Sequence, residues 1–218
     1  MAKKQAFIIS FEGIEGTGKS TQSYLLGSFL RKQGFKTAFF REPGSSVFGE
    51  QIRNILLHGK SKLSALTETL LFIAAREQLS IEKIQPNITK KDIVIIDRYM
   101  DATVAYQGYG SGVDIKLINQ LNKAVAGKCI PDLTVLFDID PEIGLIRCGR
   151  GDRFEKRKLS FHQRVRAGYL KIAKENPDRI KVIKVENDIK TIQNQLRDIL
   201  VNEFNFGKRK SAKRVFKK

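Results

Sequence analysis

Short apolar runs alternate with amphipathic segments along most of the chain. The runs predict strands at Ala6–Phe11, Thr37–Arg41, Ile93–Asp97, Leu133–Asp138 and Ile180–Val185. Apolar residues at helical spacing predict helices at Lys19–Gln33, Val47–Leu57, Leu66–Glu82, Ile115–Ala126, Pro141–Cys148, Ser160–Glu175 and Ile189–Phe204. Nearly continuous apolar strands are typical of a sheet that is covered on both faces. The alternation therefore predicts an α/β fold with a five-stranded parallel sheet flanked by helices.

The composition fits one sizeable domain, which we expect to span residues 1–206. The 218 residues are 41% hydrophobic, enough to bury a core. No apolar stretch approaches the roughly 20 residues of a membrane span, and the first strand follows the N-terminus too closely for a signal peptide. Cys129 and Cys148 lack metal-ligand spacing and predict reduced thiols in a cytoplasmic protein. His58 and His162 stand alone, so we expect neither to be catalytic.

The net charge of +17 is high, and part of it is concentrated at the C-terminus. Seven cations and no acidic residue lie in the segment 207–218, namely Lys208, Arg209, Lys210, Lys213, Arg214, Lys217 and Lys218. Removing them leaves 17 − 7 = +10, so the body of the protein is also basic. Two interpretations of this tail stay open, a disordered appendage or a segment that binds polyanions.

The most specific motif lies directly after the first strand. It reads Gly13-Ile14-Glu15-Gly16-Thr17-Gly18-Lys19-Ser20 and continues into a helix with Thr21. A strand, a glycine-rich loop and a helix form a phosphate cradle, because backbone N–H groups and the helix N-terminus point at one anion. Lys19 is expected to reach the outer phosphates of ATP, and Ser20 to offer its hydroxyl to Mg²⁺.

Polar residues follow two other predicted strands and should meet this loop at one sheet edge. Asp97 ends a buried run and is a candidate to help hold Mg²⁺, the alternatives being a helix cap or an ion pair with Arg98. Arg41 and Arg98 are candidates to bind a second phosphate, because guanidinium donates two hydrogen bonds to such an anion. Arg53 either joins them or is a solvated helix charge.

A basic, glycine-containing segment at about residues 147–157 is a candidate lid. It carries Arg147, Arg150 and Arg153, any of which can place a cation on the transferring phosphoryl group. The alternative is a flexible charged loop. No general base is evident, which favours an acceptor that is itself a phosphate, since its oxygens are largely ionised at neutral pH.

In combination these motifs resemble the thymidylate kinase family over nearly all of residues 6–204. The resemblance rests on segments that occur in the family's order: Phe11–Thr21, Arg41-Glu42-Pro43-Gly44, Phe72-Ile73-Ala74-Ala75-Arg76, Asp97-Arg98-Tyr99, Ala105-Tyr106-Gln107-Gly108 and Pro131-Asp132-Leu133. It implies the P-loop nucleoside-monophosphate kinase fold and phosphorylation of dTMP to dTDP by Mg²⁺-ATP in dTTP biosynthesis. It also implies a homodimer.

The resemblance further implies roles for single residues. Those expected to bind the acceptor are Glu15 at the 3′-OH region, Arg41 and Arg98 at the phosphate with Arg53 nearby, Pro43 beside them, Phe72 stacked on thymine, Arg76 hydrogen-bonded to the base, Tyr106 against the sugar and Gln107 by the base. From spacing alone, Phe72 would be interpreted as helix core. The catalytic residues are expected to be Lys19, Asp97 and the lid arginines.

The catalytic arginine of this family lies either in the phosphate loop or in the lid. Gly16 stands where the first arrangement has arginine, so this chain is similar to the bacterial type, with the cation in the lid. Ala102 and Thr103 depart from the serine or asparagine common in bacterial relatives. Two other functions stay open: a kinase for another pyrimidine nucleotide or nucleoside, and an ATPase that binds nucleic acid.

Overall fold

One parallel sheet organises the protein. The computed structural model describes residues 5–127, 129–149, 151–186 and 188–203. Its strands are β1 (Phe7–Glu12), β2 (Thr37–Arg41), β3 (Ile93–Asp97), β4 (Leu133–Asp138) and β5 (Ile180–Lys184). Within the described residues they form a five-stranded sheet in the order β2-β3-β1-β4-β5, with every neighbouring pair parallel. The predicted strands and fold class are confirmed.

Helices connect the strands and cover the sheet. They are α1 (Lys19–Lys32), α2 (Val47–His58), α3 (Ala65–Leu79), α4 (Gln85–Ile88), α5 (Met100–Thr103), α6 (Ile115–Ala126), α7 (Pro141–Cys148), α8 (Leu159–Glu175) and α9 (Ile189–Glu203). Local sequence explains several starts: Ser46, Ser64 and Asp140 each accept a hydrogen bond from a backbone N–H in the first turn that follows. The helix predicted at Leu66–Glu82 instead passes at Ser80–Ile84 into a π-helical turn.

The helical segment from Met100 to Gly110 was not predicted from the sequence. It comprises α5 and a π-helical turn at Val104–Gly110, and nearly all of its residues are buried. Since this segment is enclosed by protein on every side, it shows no amphipathic stripe, and its glycines argue against a helix. It places Tyr106 and Gln107 beside the carboxyl end of the sheet.

The two faces of the sheet are both buried, as the apolar strands predicted. Ile9 and Ile95 belong to the larger apolar cluster, whereas Ile8 and Val94 belong to a second cluster on the other face. The edge strands are less covered, and Phe39 of β2 is 40% exposed. None of the described helices has the length and hydrophobicity needed to cross a membrane. The Cys129 thiol is buried, and the Cys148 thiol donates a hydrogen bond to the Leu145 carbonyl oxygen at 3.5 Å.

A close backbone contact fixes the phosphate loop against α7. A Cβ atom built on Gly16 would lie 2.0 Å from the carbonyl oxygen of Gly144, and a Cβ on Gly144 would lie 2.5 Å from the carbonyl oxygen of Glu15. Gly16 also has a φ of 70°, which L side chains rarely adopt. The loop therefore has no space for an arginine side chain at position 16.

We expect Gly144→Ala to distort the phosphate loop, because the new methyl group meets fixed backbone. Overpacking of this kind costs about 1–3 kcal/mol, so the melting temperature should fall by several degrees and the dissociation constant for ATP should rise about tenfold. Calorimetry measures both quantities. Gly27→Ala in α1 is the matched control, since its Cβ meets Ile95 at an ordinary 3.4 Å. Equal melting temperatures and equal dissociation constants for the two variants would contradict the close contact between Gly144 and the phosphate loop.

Candidate active site

A cavity of about 310 Å³ lies beyond the carboxyl ends of β1, β2 and β3. The three strand ends meet at one edge, as predicted, because β3 lies between β1 and β2. Of the residues predicted from the sequence, the lining includes Glu15, Gly16, Lys19, Ser20, Arg41, Pro43, Arg53, Phe72, Arg76, Asp97, Arg98, Tyr106 and Gln107. Gly13, Ile14, Thr17, Gly18 and Thr21 belong to the loop but not to this lining.

The lysine of the phosphate loop lies folded into the loop. Lys19 Nζ donates to the Ile14 carbonyl oxygen at 2.6 Å and to Thr17 Oγ1 at 3.1 Å. Burial, reinforced by the neighbouring Arg98, lowers the pKa of Lys19 to about 8. The next residue, Ser20, donates its hydroxyl to Asp97 Oδ2 at 2.5 Å. The Lys19 ammonium, the Ser20 hydroxyl and the Asp97 carboxylate are therefore all held close to the phosphate loop.

Arg98 connects this loop to the rest of the cavity. It has a φ of 63°, and this left-handed turn directs its side chain back toward the loop. Its guanidinium donates to the Gly13 carbonyl oxygen at 2.8 Å and to Glu15 Oε1 at 3.1 Å. It also lies over the ring of Tyr106, 5.1 Å from the centroid.

Glu15 is held by groups from three elements. Its Oε1 accepts hydrogen bonds from Tyr106 at 2.5 Å and from Arg98, while its Oε2 lies 3.3 Å from His162 Nδ1. Burial by itself raises the pKa of Glu15, but His162, Arg98 and Lys19 outweigh it and lower the pKa to about 2. The carboxylate is therefore ionised at any physiological pH.

Positive charge accumulates at the end of β2. Arg41 is half exposed and pairs with Glu50 at 3.0 Å. Arg53 reaches over from α2 and donates to the Pro43 carbonyl oxygen at 3.0 Å. Burial and the nearby Arg41 lower the pKa of Arg53, since removal from water and a like charge both disfavour the cation. With Arg98, these groups form a cluster that suits a multiply charged anion.

The far wall of the cavity contains a buried ion pair. Arg76 is completely buried and donates two parallel hydrogen bonds to the carboxylate of Glu42, with Nε 2.9 Å from Oε2. Its remaining partners are Thr103 Oγ1 at 2.7 Å, the Tyr99 carbonyl oxygen at 3.2 Å and Asn122 Oδ1. Among the described residues Nη1 contacts only Asn122, so one of its two hydrogens is left for a ligand.

Aromatic and amide side chains line the space between the arginines. Phe72 is half-buried and packs against Phe154 of the lid segment, with ring centroids 5.9 Å apart. Tyr106 lies edge-on to the same Phe154 at 6.2 Å. Gln107 is buried, and its Nε2 has no hydrogen-bond partner among the described residues. An unsatisfied amide in a cavity wall is a candidate ligand contact, because leaving it unpaired is costly.

Two of the predicted lid arginines, Arg147 and Arg153, are not part of the cavity lining. Arg147 is exposed on the last turn of α7, and Arg153 donates to the Ser61 carbonyl oxygen at 3.1 Å. Arg150 lies outside the described residues, as does the basic tail 207–218. The lid segment instead contributes Asp152, Phe154 and Glu155 to the lining. Which arginine reaches a phosphoryl group therefore stays a prediction.

Several site residues escaped the sequence analysis. Glu42 belongs to the motif Arg41-Glu42-Pro43-Gly44, but the motif does not indicate that this carboxylate neutralises Arg76. His162 has no motif near it in the sequence. Glu12 is buried at the end of β1, where it accepts hydrogen bonds from the Tyr99 N–H at 2.7 Å and the Tyr169 hydroxyl at 2.9 Å. Burial, with Asp101 nearby, raises the pKa of Glu12 to about 8. In the sequence, the one feature that marks Glu12 as a site residue is its position directly before Gly13 of the phosphate loop.

We expect Arg76→Met to destabilise the fold as well as the site. The substitution leaves the Glu42 carboxylate buried without its counter-ion, which costs about 3–5 kcal/mol. Denaturant unfolding measures this loss, and adding Glu42→Leu should recover part of it, because no buried charge then remains. A free energy of unfolding within about 1 kcal/mol of wild type for Arg76→Met alone would contradict the ion pair.

The pKa of Lys19 predicts how ATP binding depends on pH. Because the pKa is lowered to about 8, the charged amine is present below that pH and is lost above it. The dissociation constant for ATP should therefore rise above pH 8, by at most about tenfold per pH unit. Calorimetric titrations across that range measure it. Lys19→Met is the control and should bind weakly with little pH dependence; an unchanged slope would assign the effect to another group such as Glu12.

Known proteins are similar to this chain in sequence and in fold. A sequence model of the family described as "Thymidylate kinase" matches residues 11–196. The thymidylate kinase of Kosmotoga olearia is 44% identical over 191 residues, which cover 86% of this chain and 92% of that protein. That of Syntrophotalea carbinolica is 45% identical over 188 residues, covering 82% and 87%.

A solved structure agrees with these sequence relatives. The crystal structure of thymidylate kinase from Ehrlichia chaffeensis superimposes with a TM-score of 0.76 at 37% identity, covering 90% of this chain and 98% of that one. The sequence matches, the structural match and the cavity at the phosphate loop together show that this chain belongs to the thymidylate kinase family.

Proposed function

We propose that this chain transfers the terminal phosphoryl group of ATP to the phosphate of dTMP, the reaction of its family and a step of dTTP synthesis. The observation that supports the proposal is a cavity lined both by the glycine-rich loop and by a cluster of arginines, each suited to a phosphate group. The glycine loop with Lys19 lies at one end and the cluster of Arg41, Arg53 and Arg98 at the other. Transfer between two phosphates needs this arrangement, because donor and acceptor must be held in line.

The donor end is proposed to bind Mg²⁺-ATP. Lys19 and the loop N–H groups hold the phosphates, and Ser20 with Asp97 would hold the metal. Within the described residues no group of three or more His, Cys, Asp or Glu side chains is placed to hold a metal by itself. One hydroxyl and one carboxylate nevertheless fit Mg²⁺, which takes oxygen ligands and completes its shell with phosphates and water. When bound, the metal neutralises phosphate charge.

The acceptor end is proposed to bind the dTMP phosphate through Arg41, Arg53 and Arg98. These side chains orient the attacking oxygen and reduce the repulsion between two anions. No residue needs to remove a proton from the acceptor, because a phosphate monoester is largely ionised at neutral pH. This property separates a nucleotide acceptor from a nucleoside acceptor, whose hydroxyl would require a base.

The base is proposed to lie between Phe72 and the opposite wall, with Arg76 and Gln107 as donors to its carbonyl oxygens. The uncommitted Nη1 hydrogen of Arg76 and the unpaired Nε2 of Gln107 support this assignment. Tyr106 and Glu15 would then border the sugar. Pro43 completes the wall beside Arg53, to which its carbonyl oxygen is hydrogen-bonded.

The catalytic cation is proposed to come from the lid, from Arg147, Arg150 or Arg153. The contact between Gly16 and Gly144 supports this, since it leaves no space for an arginine in the phosphate loop. Bringing Arg147 or Arg153 to the phosphates requires movement of the lid segment, and such movement is common among lids that exclude water.

A homodimer and a cytoplasmic location belong to the same proposal. The helices α2 and α3 pack on each other, and each leaves large apolar side chains exposed, among them Phe48, Ile55, Leu66 and Leu70. Exposed apolar residues on neighbouring helices support association with a second copy. The domain limit at residue 206 also stays a proposal, because residues 204–218 lie outside the described part.

An acceptor panel tests the function directly. ADP release is measured with dTMP, dUMP, dCMP, UMP and thymidine as acceptors at saturating Mg²⁺-ATP. We expect the highest kcat/KM for dTMP and no turnover of thymidine, because thymidine has no phosphate for the arginine cluster. UMP should be poor, since Tyr106 would crowd a ribose 2′-OH.

The same panel distinguishes the alternatives. A lack of turnover with dTMP would overturn the proposal, and preferential use of another pyrimidine nucleotide would keep the fold and change the acceptor. ATP hydrolysis stimulated by DNA or RNA, with a steep salt dependence, would instead favour an ATPase that binds nucleic acid.

A further inference from the structure

The imidazole of His162 is a polar group in the protein interior. It lies on α8, is completely buried, and has the buried residues Phe161 and Val165 as neighbours on the same helix. Its ring stands edge-on to that of Phe161, with centroids 5.3 Å apart. A leucine would fill this position without the cost of burying two ring nitrogens, so packing does not explain an imidazole here.

The ring of His162 lies beside the carboxylate of Glu15. Nδ1 lies 3.3 Å from Glu15 Oε2, a close polar contact whose geometry falls short of a hydrogen bond, and among the described residues neither ring nitrogen nor Oε2 has a hydrogen-bond partner. His162 does not line the cavity, whereas Glu15 does. The imidazole therefore acts on the cavity wall through the carboxylate and not on a ligand directly.

The two oxygens of Glu15 are restrained differently. Oε1 accepts hydrogen bonds from Tyr106 and Arg98, but contacts at one oxygen still let the group pivot about that atom as the side-chain torsions change. His162 Nδ1 lies against Oε2 and limits where this second oxygen can move. A carboxylate fixed at both oxygens presents its lone pairs in one direction, which matters for recognition of a hydroxyl.

We infer that His162 is a positioning residue that holds the Glu15 carboxylate in the orientation needed to recognise the sugar of the acceptor nucleotide. The inference deepens the proposed function and rests on it for the identity of the acceptor. The hydroxyl concerned is the 3′-OH, opposite which Glu15 is proposed to lie. Loss of the pair should therefore affect discrimination at that hydroxyl more than binding of ATP.

The first experiment tests the pair without any substrate. The protein has two histidines, His58 and His162, so long-range ¹H–¹⁵N spectra contain two sets of imidazole signals. We expect Glu15→Gln to shift the nitrogen signals of His162 and to leave those of His58 unchanged. Unchanged His162 signals would overturn the inference, whatever the acceptor proves to be.

The second experiment tests positioning. The kcat/KM for dTMP is divided by that for 3′-deoxythymidine monophosphate, and the ratio is compared among His162→Asn, His162→Gln and His162→Leu. Asparagine keeps a donor near the position of Nδ1, so its ratio should stay within about threefold of wild type. Glutamine and leucine should lower the ratio about tenfold, which corresponds to about 1.4 kcal/mol for the lost polar contact with the carboxylate, with KM for ATP unchanged.

Val165→Ala is the matched control, because it disturbs the same buried turn of α8 without touching Glu15. It should lower the melting temperature and keep the wild-type ratio. Equal ratios for the asparagine and glutamine variants would show that His162 only packs, and this comparison remains decisive if the leucine variant fails to fold. Absence of dTMP turnover by the wild type would overturn the proposed function and leave the spectroscopic test of the pair standing.

Discussion

The left-handed turn at Arg98 is the constraint on which the cavity depends. It allows two consecutive residues at the end of β3 to serve different partners, since Asp97 meets Ser20 while Arg98 turns back to Gly13 and Glu15. Such a backbone conformation costs about 1–3 kcal/mol for a residue other than glycine. Two hydrogen bonds from a charged guanidinium, each contributing about 1.5–3 kcal/mol, are sufficient to offset it. The phosphate loop is thereby joined to the opposite side of the cavity.

Other charged groups of the cavity are also held by protein partners before any ligand arrives. Arg76 and Glu42 are held by each other, and Glu15 is held by groups from three elements. Side chains arranged in this way need little reorganisation when charge develops, which is the main electrostatic means of accelerating phosphoryl transfer. Burial makes each pair sensitive to the loss of either partner, because an isolated charge in the interior is expensive.

The strands and the phosphate loop could be predicted from the sequence, because each is marked by a local pattern of residues. Ile93–Asp97 is a continuous apolar run, and the phosphate loop is a short motif with a fixed order. The helical segment from Met100 to Gly110 was not readable, since burial on all sides removes the periodicity that marks a helix. Tertiary contacts decided that segment.

Only part of the candidate site could be predicted from the sequence, because the supporting contacts join residues far apart in the chain. Motifs marked the residues that face the cavity, but not the partners that hold them. Glu42 and Arg76 come together from positions 34 residues apart, and Glu15 meets His162 from the far end of the domain. A histidine without a nearby motif has no sequence signal for such a contact, so the supporting residues emerged only from the three-dimensional arrangement.

The contact between Gly16 and Gly144 has a consequence for how this protein can evolve. Each position excludes a side chain because of the backbone at the other, so neither is free to change first. A lineage with this arrangement cannot acquire a loop arginine by one substitution, since the intermediate would have to displace α7. An arginine in the loop therefore needs a shift of the α7 backbone as well as a substitution at position 16.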